Sequence, residues 1–478
     1  MSKFLKNISL GATLTEDEAR TIFAQGEEAV LFALLQMSKM LAEQQAGMAA
    51  ISHATPATPS GMKPVYQKPK ASSRGKKKPG RKAGHPGSCR EAPSRIDQRK
   101  THRATVCPDC GDTLRKRRET RTRYTEDIPE DITPIITEHT IHRDWCPNCR
   151  KKVEGTVTDA LPHATLGNRV LVLSAWLHYV LGNSLSQLVE VFNYHLLMKV
   201  STGAFSQMWH RLAAILEVWY QAIQEEGLNA AQLNADETGW RVNGQTHWLW
   251  CFANDDISYF MIDRSRGSPP LLQFFKREFE GTLISDFWGA YNAVDCMERQ
   301  KCLVHLLRDL EHVDKYKSPS ENWAPFAKKL RRLIGDGIRL WRRRDTLSET
   351  EYASKRARLT KRLEQEIIAT PWEDPQAKRL IKRLRRHKDE IFTFLKQPGI
   401  PFDNNLAERA IRPAVILRKK SFGNRSSNGA NTQAILMSIF FTLKKRGYNP
   451  VNTVQQALST YLETGKMPPL PPGIKPKG

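Results

Sequence analysis

Three acidic residues, widely separated along the chain, could do chemistry together. Asp236 lies in LNADETGWR, Asp286 ends the short apolar run GTLIS, and Glu408 lies in NNLAERAIRP. Converging carboxylates can hold two Mg²⁺ ions roughly 3.5–4 Å apart, an arrangement that activates one oxygen and stabilises another at a phosphodiester. Mg²⁺ prefers carboxylate oxygens and keeps several waters, so two or three acids suffice, and Mn²⁺ fits in its place. Each acid has a plainer alternative. Asp236 and Glu237 are adjacent, so on a strand they face opposite sides and only one reaches a shared site. Glu408 stands three residues after Asn405, so it either supplies the third carboxylate or closes a capping box. Asp255 and Asp256 read as solvated turn residues. Cys302 and His305 have ligand-like spacing, but their buried strand-to-helix run reads as packing, not a second zinc site.

These acids need a sheet to position them. QLNADETGWRVNG, QTHWLWCFAN and DISYFMIDRS read as three antiparallel strands, joined by turns at Asn243-Gly244 and Asn254-Asp255. A helix through LLQFFKREF follows, then a strand GTLIS running into Asp286, then a helix FWGAYNAV. That order predicts an α/β fold with an RNase H-like domain, Asp236 mid-strand and Asp286 at the end of the fourth strand. Glu408 begins a helix that runs until Pro413 or resumes beyond it. The roughly 120 residues between Asp286 and Glu408 are helical and basic, with 8 Lys or Arg against 1 acid from Lys328 to Arg344. Such a face suits DNA phosphates.

Upstream, Cys107 and Cys110 in CPDCG and Cys146 and Cys149 in CPNCR form two Cys-x-x-Cys pairs. Four thiolates fit one tetrahedral structural Zn²⁺, with His139 and His142 as competing ligands, and ETRTRYTEDIP and PIITEHTIHRDW read as paired strands between them. Residues 14–50 read as a helix, packed on its own chain or on a second copy. Residues 53–100 read as a linker, with 13 Lys or Arg against 2 acids over 61–100. Its Lys76, Lys77, Lys78, Arg81 and Lys82 suit an A·T-rich minor groove or unspecific phosphate contacts. A packed helical block spans roughly Asn168 to Gln224, and its His178, His195 and His210 carry no assigned chemistry.

The 478 residues imply several domains: 1–52 helical, 53–100 linker, 101–160 zinc module, 161–228 helical, 229–415 catalytic with a basic insertion at about 318–398, and 416–478 C-terminal. Lys plus Arg total 74 against 50 acids, a net charge of +24 that favours a polyanion. Membrane is the weaker partner, because no window approaches eighteen uninterrupted apolar residues. A cytoplasmic protein is expected, with its eight cysteines reduced.

LNADETGWRVNG, SDFWGAYN and FDNNLAERAIRPAVILRKKSFGNRSSNGANTQAILMSIFFTLKKRGYNP closely resemble the insertion sequence 66 family of bacterial transposases, and the likeness extends over nearly the whole chain. The resemblance implies a DDE transposase of retroviral-integrase fold that works with Mg²⁺. It matches Asp236, Asp286 and Glu408 to the catalytic acids. Arg409, Arg412 and Lys419 match basic residues placed to hold DNA phosphates. Small accessory proteins of the same element are implied partners, beside double-stranded DNA at element ends and target. Synapsis of two ends implies at least a dimer on DNA. The sequence departs from the usual knuckle at Arg150, where Gly is commoner. An RNase H-like junction resolvase and a domesticated, non-catalytic DNA-binding regulator are the alternatives to cleavage and strand transfer, and a zinc-dependent interaction protein is a third.

Overall fold

A computed structural model describes residues 93–115 and 122–473, apart from 126, 127, 130, 131 and 318, together with six isolated residues between 20 and 30. Those six apart, the helix expected over residues 14–50 lies outside the described residues, as do Lys76, Lys77, Lys78, Arg81 and Lys82. The strands are β1 (Arg143–Cys146), β2 (Lys151–Glu154), β3 (Gln232–Val242), β4 (Gln245–Ala253), β5 (Ser258–Asp263), β6 (Phe279–Ser285) and β7 (Cys296–Lys301). The helices are α1 (Asn168–Tyr179), α2 (Leu185–Glu190), α3 (Thr202–Leu228), α4 (Pro269–Phe274), α5 (Leu303–Tyr316), α6 (Trp323–Arg342), α7 (Glu349–Arg362), α8 (Pro375–Arg386), α9 (Thr393–Lys396), α10 (Asn405–Ser421), α11 (Ser427–Lys445) and α12 (Pro450–Thr464).

The fold is mixed α/β. Its main sheet runs β5-β4-β3-β6-β7, with β3–β4 and β4–β5 antiparallel and β3–β6 and β6–β7 parallel. The first hairpin turns at Asn243 and Gly244, both left-handed at φ 49° and 73°, as a two-residue type I′ turn requires. The second turn is closed by Asn254, whose Oδ1 accepts from the N–H groups of Asp256 (2.9 Å) and Ile257 (2.8 Å). Asp255 is exposed, as expected of a turn residue, and Asp256, its side chain 47% exposed, also has a buried partner. It accepts two hydrogen bonds from the buried Arg446, at 3.1 and 2.7 Å.

Strand β5 is an outer strand, and α11 covers its free edge. Ser438 Oγ accepts from Phe260 N–H (2.8 Å), and Thr442 Oγ1 accepts from Ser258 N–H (3.1 Å) while donating to Ser258 O (3.2 Å). An edge that would template pairing with another chain is thereby satisfied within the chain. Helix α3 buries Phe205, Trp209, Leu212, Leu216, Trp219 and Ile223 at helical spacing, each contributing about 1.5–3 kcal/mol of burial. It shares one apolar core with α1, α11, α12 and the sheet. Helices α5 to α9 form a second core around Phe326, Leu330, Leu380 and Phe394. The basic insertion therefore carries a core of its own.

Several expectations need correction. The two segments expected to pair between the cysteine knuckles do not pair with each other among their described residues; only Arg143, Asp144 and Trp145, at the end of the second, enter a strand. Instead β1 and β2 pair with each other across the second knuckle, because the knuckle itself is a tight turn that closes a local hairpin. Arg150 adopts φ 48° there, at the position where the first knuckle has Gly111 at φ 77°, which accounts for the usual preference for Gly. FWGAYNAV makes only a 3₁₀ turn, Gly289–Ala293, preceded by Asp286 Oδ1 accepting the Trp288 N–H (2.8 Å). Helix α10 continues through Pro413, held by its buried Ile411, Ala414, Val415 and Leu417.

His178 stacks on Trp209 with ring centroids 4.8 Å apart, and its Nδ1 lies 2.6 Å from Asn183 O. Burial pulls its pKa from 6.5 down to about 4. A depressed folded pKa means stability present above the unfolded value and lost as pH falls through the folded one. Thermal melts should therefore lose about 3 kcal/mol of stability between pH 6.5 and 4 from this residue, and His178→Gln should flatten that window.

Candidate active site

Alternation along β3 divides its acids between two faces. Glu237 is buried on one of them. Arg266 donates to its Oε1 from Nε (3.1 Å) and Nη2 (2.9 Å), and the Tyr291 hydroxyl donates to Oε2. Arg266 is itself stacked over Trp288 (4.0 Å) and Trp248 (4.6 Å). Burial and the nearby Asp286 push the Glu237 carboxyl up to about 7, against the pull of Tyr291 and Arg266 toward the charged form. Glu237 is thus fully occupied in holding the 266–291 loop region.

The opposite face of β3 presents Asn234, Asp236, Thr238 and Trp240, and α10 with the loop after it lies along them. Asn234 Nδ2 donates to Asn404 Oδ1 (3.0 Å), and Asn404 Nδ2 donates to Ala235 O (2.7 Å). Further along, Arg418 donates to Thr238 Oγ1 (3.3 Å) and to Gly239 O, and Trp240 Nε1 donates to Asn424 Oδ1 (2.6 Å). The helix therefore runs in the direction of β3, and Glu408, one turn beyond Asn404, comes to the level of Asp236. The parallel register Asn234↔Ile284, continued two residues, brings Asp286 alongside Asp236.

The electrostatics follow from this convergence. Burial, first, and then the charges of Glu237, Asp286 and Glu408 hold the Asp236 carboxyl well above its ordinary range. Among the described residues no cation pairs with Asp236, and the repulsion that helps to raise its carboxyl is of the kind a divalent ion would relieve. Glu408 does not form the capping box that its spacing allowed; its backbone N–H bonds Asn404 O, and its carboxylate turns to Arg308. Arg308 donates from Nη1 to Oε1 (3.2 Å) and from Nη2 to Oε2 (3.4 Å). His305 Nε2 stands 3.7 Å from Glu408 Oε1.

Cys302, His305 and Glu408 offer ligand atoms that all lie within 4.8 Å of one another. Cys302 caps α5 with its thiol pushed up to about 12 by burial, and its Sγ accepts the Asn404 N–H at 3.2 Å. The oxygens of Asp236, Asp286 and Glu408 form no group of that tightness, and two ions 3.5–4 Å apart require a wider set of ligands.

The remaining candidates lie elsewhere. Arg409, Arg412 and Lys419 are exposed along α10. Cys107 with Cys110, and Cys146 with Cys149, form two turns, and backbone hydrogen bonds from Cys110 and Cys149 lower the Cys107 and Cys146 thiols. No three of these sulfurs share a 4.8 Å cluster. In the basic run of α6, Asp314 and Asp336 neutralise Arg331 and Arg339, whereas Lys328, Arg332, Arg342 and Arg343 are exposed and make no ion pair among the described residues. Sequence reasoning missed Arg308 and Asn404. Arg308 was detectable in principle, since Cys302, His305 and Arg308 recur every three residues and so follow one side of a helix start.

A mixed sheet with two acids on neighbouring parallel strands, and a third on the helix docked across them, defines an α/β protein with a carboxylate-cluster site. The model of the transposase IS66 family matches residues 163–432, more than half of the chain, and the protein belongs to that family. It is 26% identical over 298 residues to the uncharacterized protein y4qI of Sinorhizobium fredii (strain NBRC 101917 / NGR234), covering 55% of this chain and 53% of that one. It is 35% identical over 80 residues to uncharacterized protein y4jO of the same strain, covering 17% of this chain and 24% of that one. The chain thus spans about half the length of the first of these relatives and about a quarter of the second. No helix among the described residues is long and apolar enough to cross a membrane.

Asn404 is buried and bridges α10 to β3 through two hydrogen bonds. Asn404→Ala removes both of these buried hydrogen bonds and should lower unfolding stability by about 1–3 kcal/mol in denaturant titrations.

Proposed function

We propose that this chain is a DDE-type DNA transposase with an RNase H-like catalytic domain over residues 229–415, interrupted by the basic helical insertion. The observation that carries the reading is the meeting of Asp236, Asp286 and Glu408 from two adjacent strands and a helix far apart in sequence. Asp236 and Asp286 would hold metal between them, and Glu408 would complete the set once released by Arg308. Two Mg²⁺ ions (or Mn²⁺), when bound, would activate the attacking oxygen and stabilise the leaving 3′-oxygen at the scissile phosphate. Hydrolysis at the element end would free a 3′-hydroxyl, which attacks target DNA in line at the same site.

The chain's other residues position DNA. Arg409, Arg412 and Lys419 lie on the helix that carries Glu408 and would hold phosphates on either side of the reacting bond. The unpaired basic residues of α6 extend that surface. Lys76, Lys77, Lys78, Arg81 and Lys82 would contact the terminal repeats. Cys107, Cys110, Cys146 and Cys149 would hold a structural Zn²⁺ that draws the two knuckles together, since four thiolates satisfy one tetrahedral ion. Two ends must be brought together, so a dimer or larger assembly on DNA is expected, with small proteins of the same element as partners.

A strand-transfer assay tests this reading with Mg²⁺, a labelled duplex carrying the element's ends and a plasmid target. Asp236→Ala, Asp286→Ala and Glu408→Ala should each lower joining by at least about 10²-fold while leaving end binding near wild type. Full joining in any one of them removes that residue from the site.

A further inference from the structure

Phe422 is the most exposed aromatic among the described residues, 81% accessible, and it follows directly on α10. Its φ of 60° is left-handed, a conformation that costs a residue with a Cβ and that glycine or asparagine usually takes. The next residue, Gly423, is at φ 114°, and a Cβ there would meet Arg241 O at 2.2 Å. Asn424 then fastens the turn. Its N–H donates to Arg241 O (2.9 Å), its O accepts from Asn243 N–H (2.8 Å), and its side chain bonds Trp240, Gly429 and Gln433. A large apolar ring is therefore held rigidly in water, on strained backbone, by the end of the strand that carries Asp236.

The surroundings of the ring are cationic. Lys419, Lys420 and Arg425 are exposed and make no ion pair among the described residues. From Arg409 to Ser426 the chain has 6 Lys or Arg and no acid. An exposed aromatic ring among unpaired cations matches the chemistry of a nucleic-acid base stacked beside its phosphates.

We propose that Phe422 is a DNA-binding residue that stacks on a base, at an unpaired position or wedged between base pairs, with Lys419, Lys420 and Arg425 on the flanking phosphates. This deepens the transposase reading and rests on it. Phe422 is 14 residues from Glu408 along nearly continuous helix, about 21 Å, or about six base pairs of duplex. The ring thus fixes the register of DNA at a distance from the cleaved bond, as strain retained at an exposed position suggests. A protein surface is the competing occupant.

The test is equilibrium binding of the full chain to a random-sequence duplex, to its single strand, and to the duplex with an abasic site stepped along it, across salt concentrations. Phe422→Ala should weaken binding about tenfold with the wild-type salt slope, because a stacked base but no phosphate contact is lost. Phe422→Tyr should restore affinity, and Lys419→Ala should instead reduce the salt slope by about one. An exposed ring contributes little to folding, so the melting temperature should stay at the wild-type value in Phe422→Ala; if it falls, Phe422→Gly, which relieves the left-handed strain, carries the comparison. Wild-type affinity in Phe422→Ala overturns the proposal, as does a loss of salt slope like that of Lys419→Ala. Altered self-association in sedimentation with unchanged DNA affinity assigns the ring to a protein contact and also overturns it. Absence of DNA binding by the wild-type chain would instead overturn the transposase reading itself.

Discussion

Carboxylates repel one another most strongly where water is scarce, and the central sheet forces several of them together there. Asp236 lies beside Glu237 in sequence, alongside Asp286 across the parallel register, and beneath Glu408 on the covering helix. Folding such a cluster requires cations. Arg266 serves Glu237, and Arg308 serves Glu408. Asp236 has no such partner among the described residues. Burial and the repulsion of its neighbours raise its carboxyl, and a divalent ion would relieve both.

The scaffold is arranged to withstand that repulsion. Helix α10 is fixed to β3 at both ends of the acid cluster, by Asn404 toward its start and by Arg418 and Asn424 toward its finish. These contacts are hydrogen bonds to backbone and buried polar groups, which set position more sharply than apolar packing alone. The insertion between Asp286 and Glu408 has its own core, so it folds beside the sheet without disturbing the acids' register. The helix before it, α5, packs into that core and reaches the site through His305 and Arg308.

The strands of the sheet were legible because their signals are local. Alternating apolar residues, Asn243-Gly244 and the run GTLIS specify three hairpin strands and the strand before Asp286 by pattern alone. The pairing of Asp236 with Asp286 followed from element order. Other features depended on contacts distant in sequence. The β7 segment CMERQK is too charged to read clearly as a buried strand, and it is satisfied by β6 and by α9. The Arg308–Glu408 pair spans 100 residues and has no local trace. Pro413 suggested a break that tertiary packing overrides, and the partner that Asp256 has in Arg446 lies 190 residues later. The family resemblance carried Glu408, which local pattern left divided between a cap and a ligand.

The most direct test of the central claim is a crystal structure of the full chain with Mn²⁺, located by anomalous scattering. The account predicts two Mn²⁺ ions roughly 3.5–4 Å apart, bound by Asp236, Asp286 and Glu408, with Arg308 withdrawn from Glu408. Mn²⁺ held by Cys302, His305 and Glu408 with none at Asp236, or no Mn²⁺ at the three acids at saturating concentration, would contradict it.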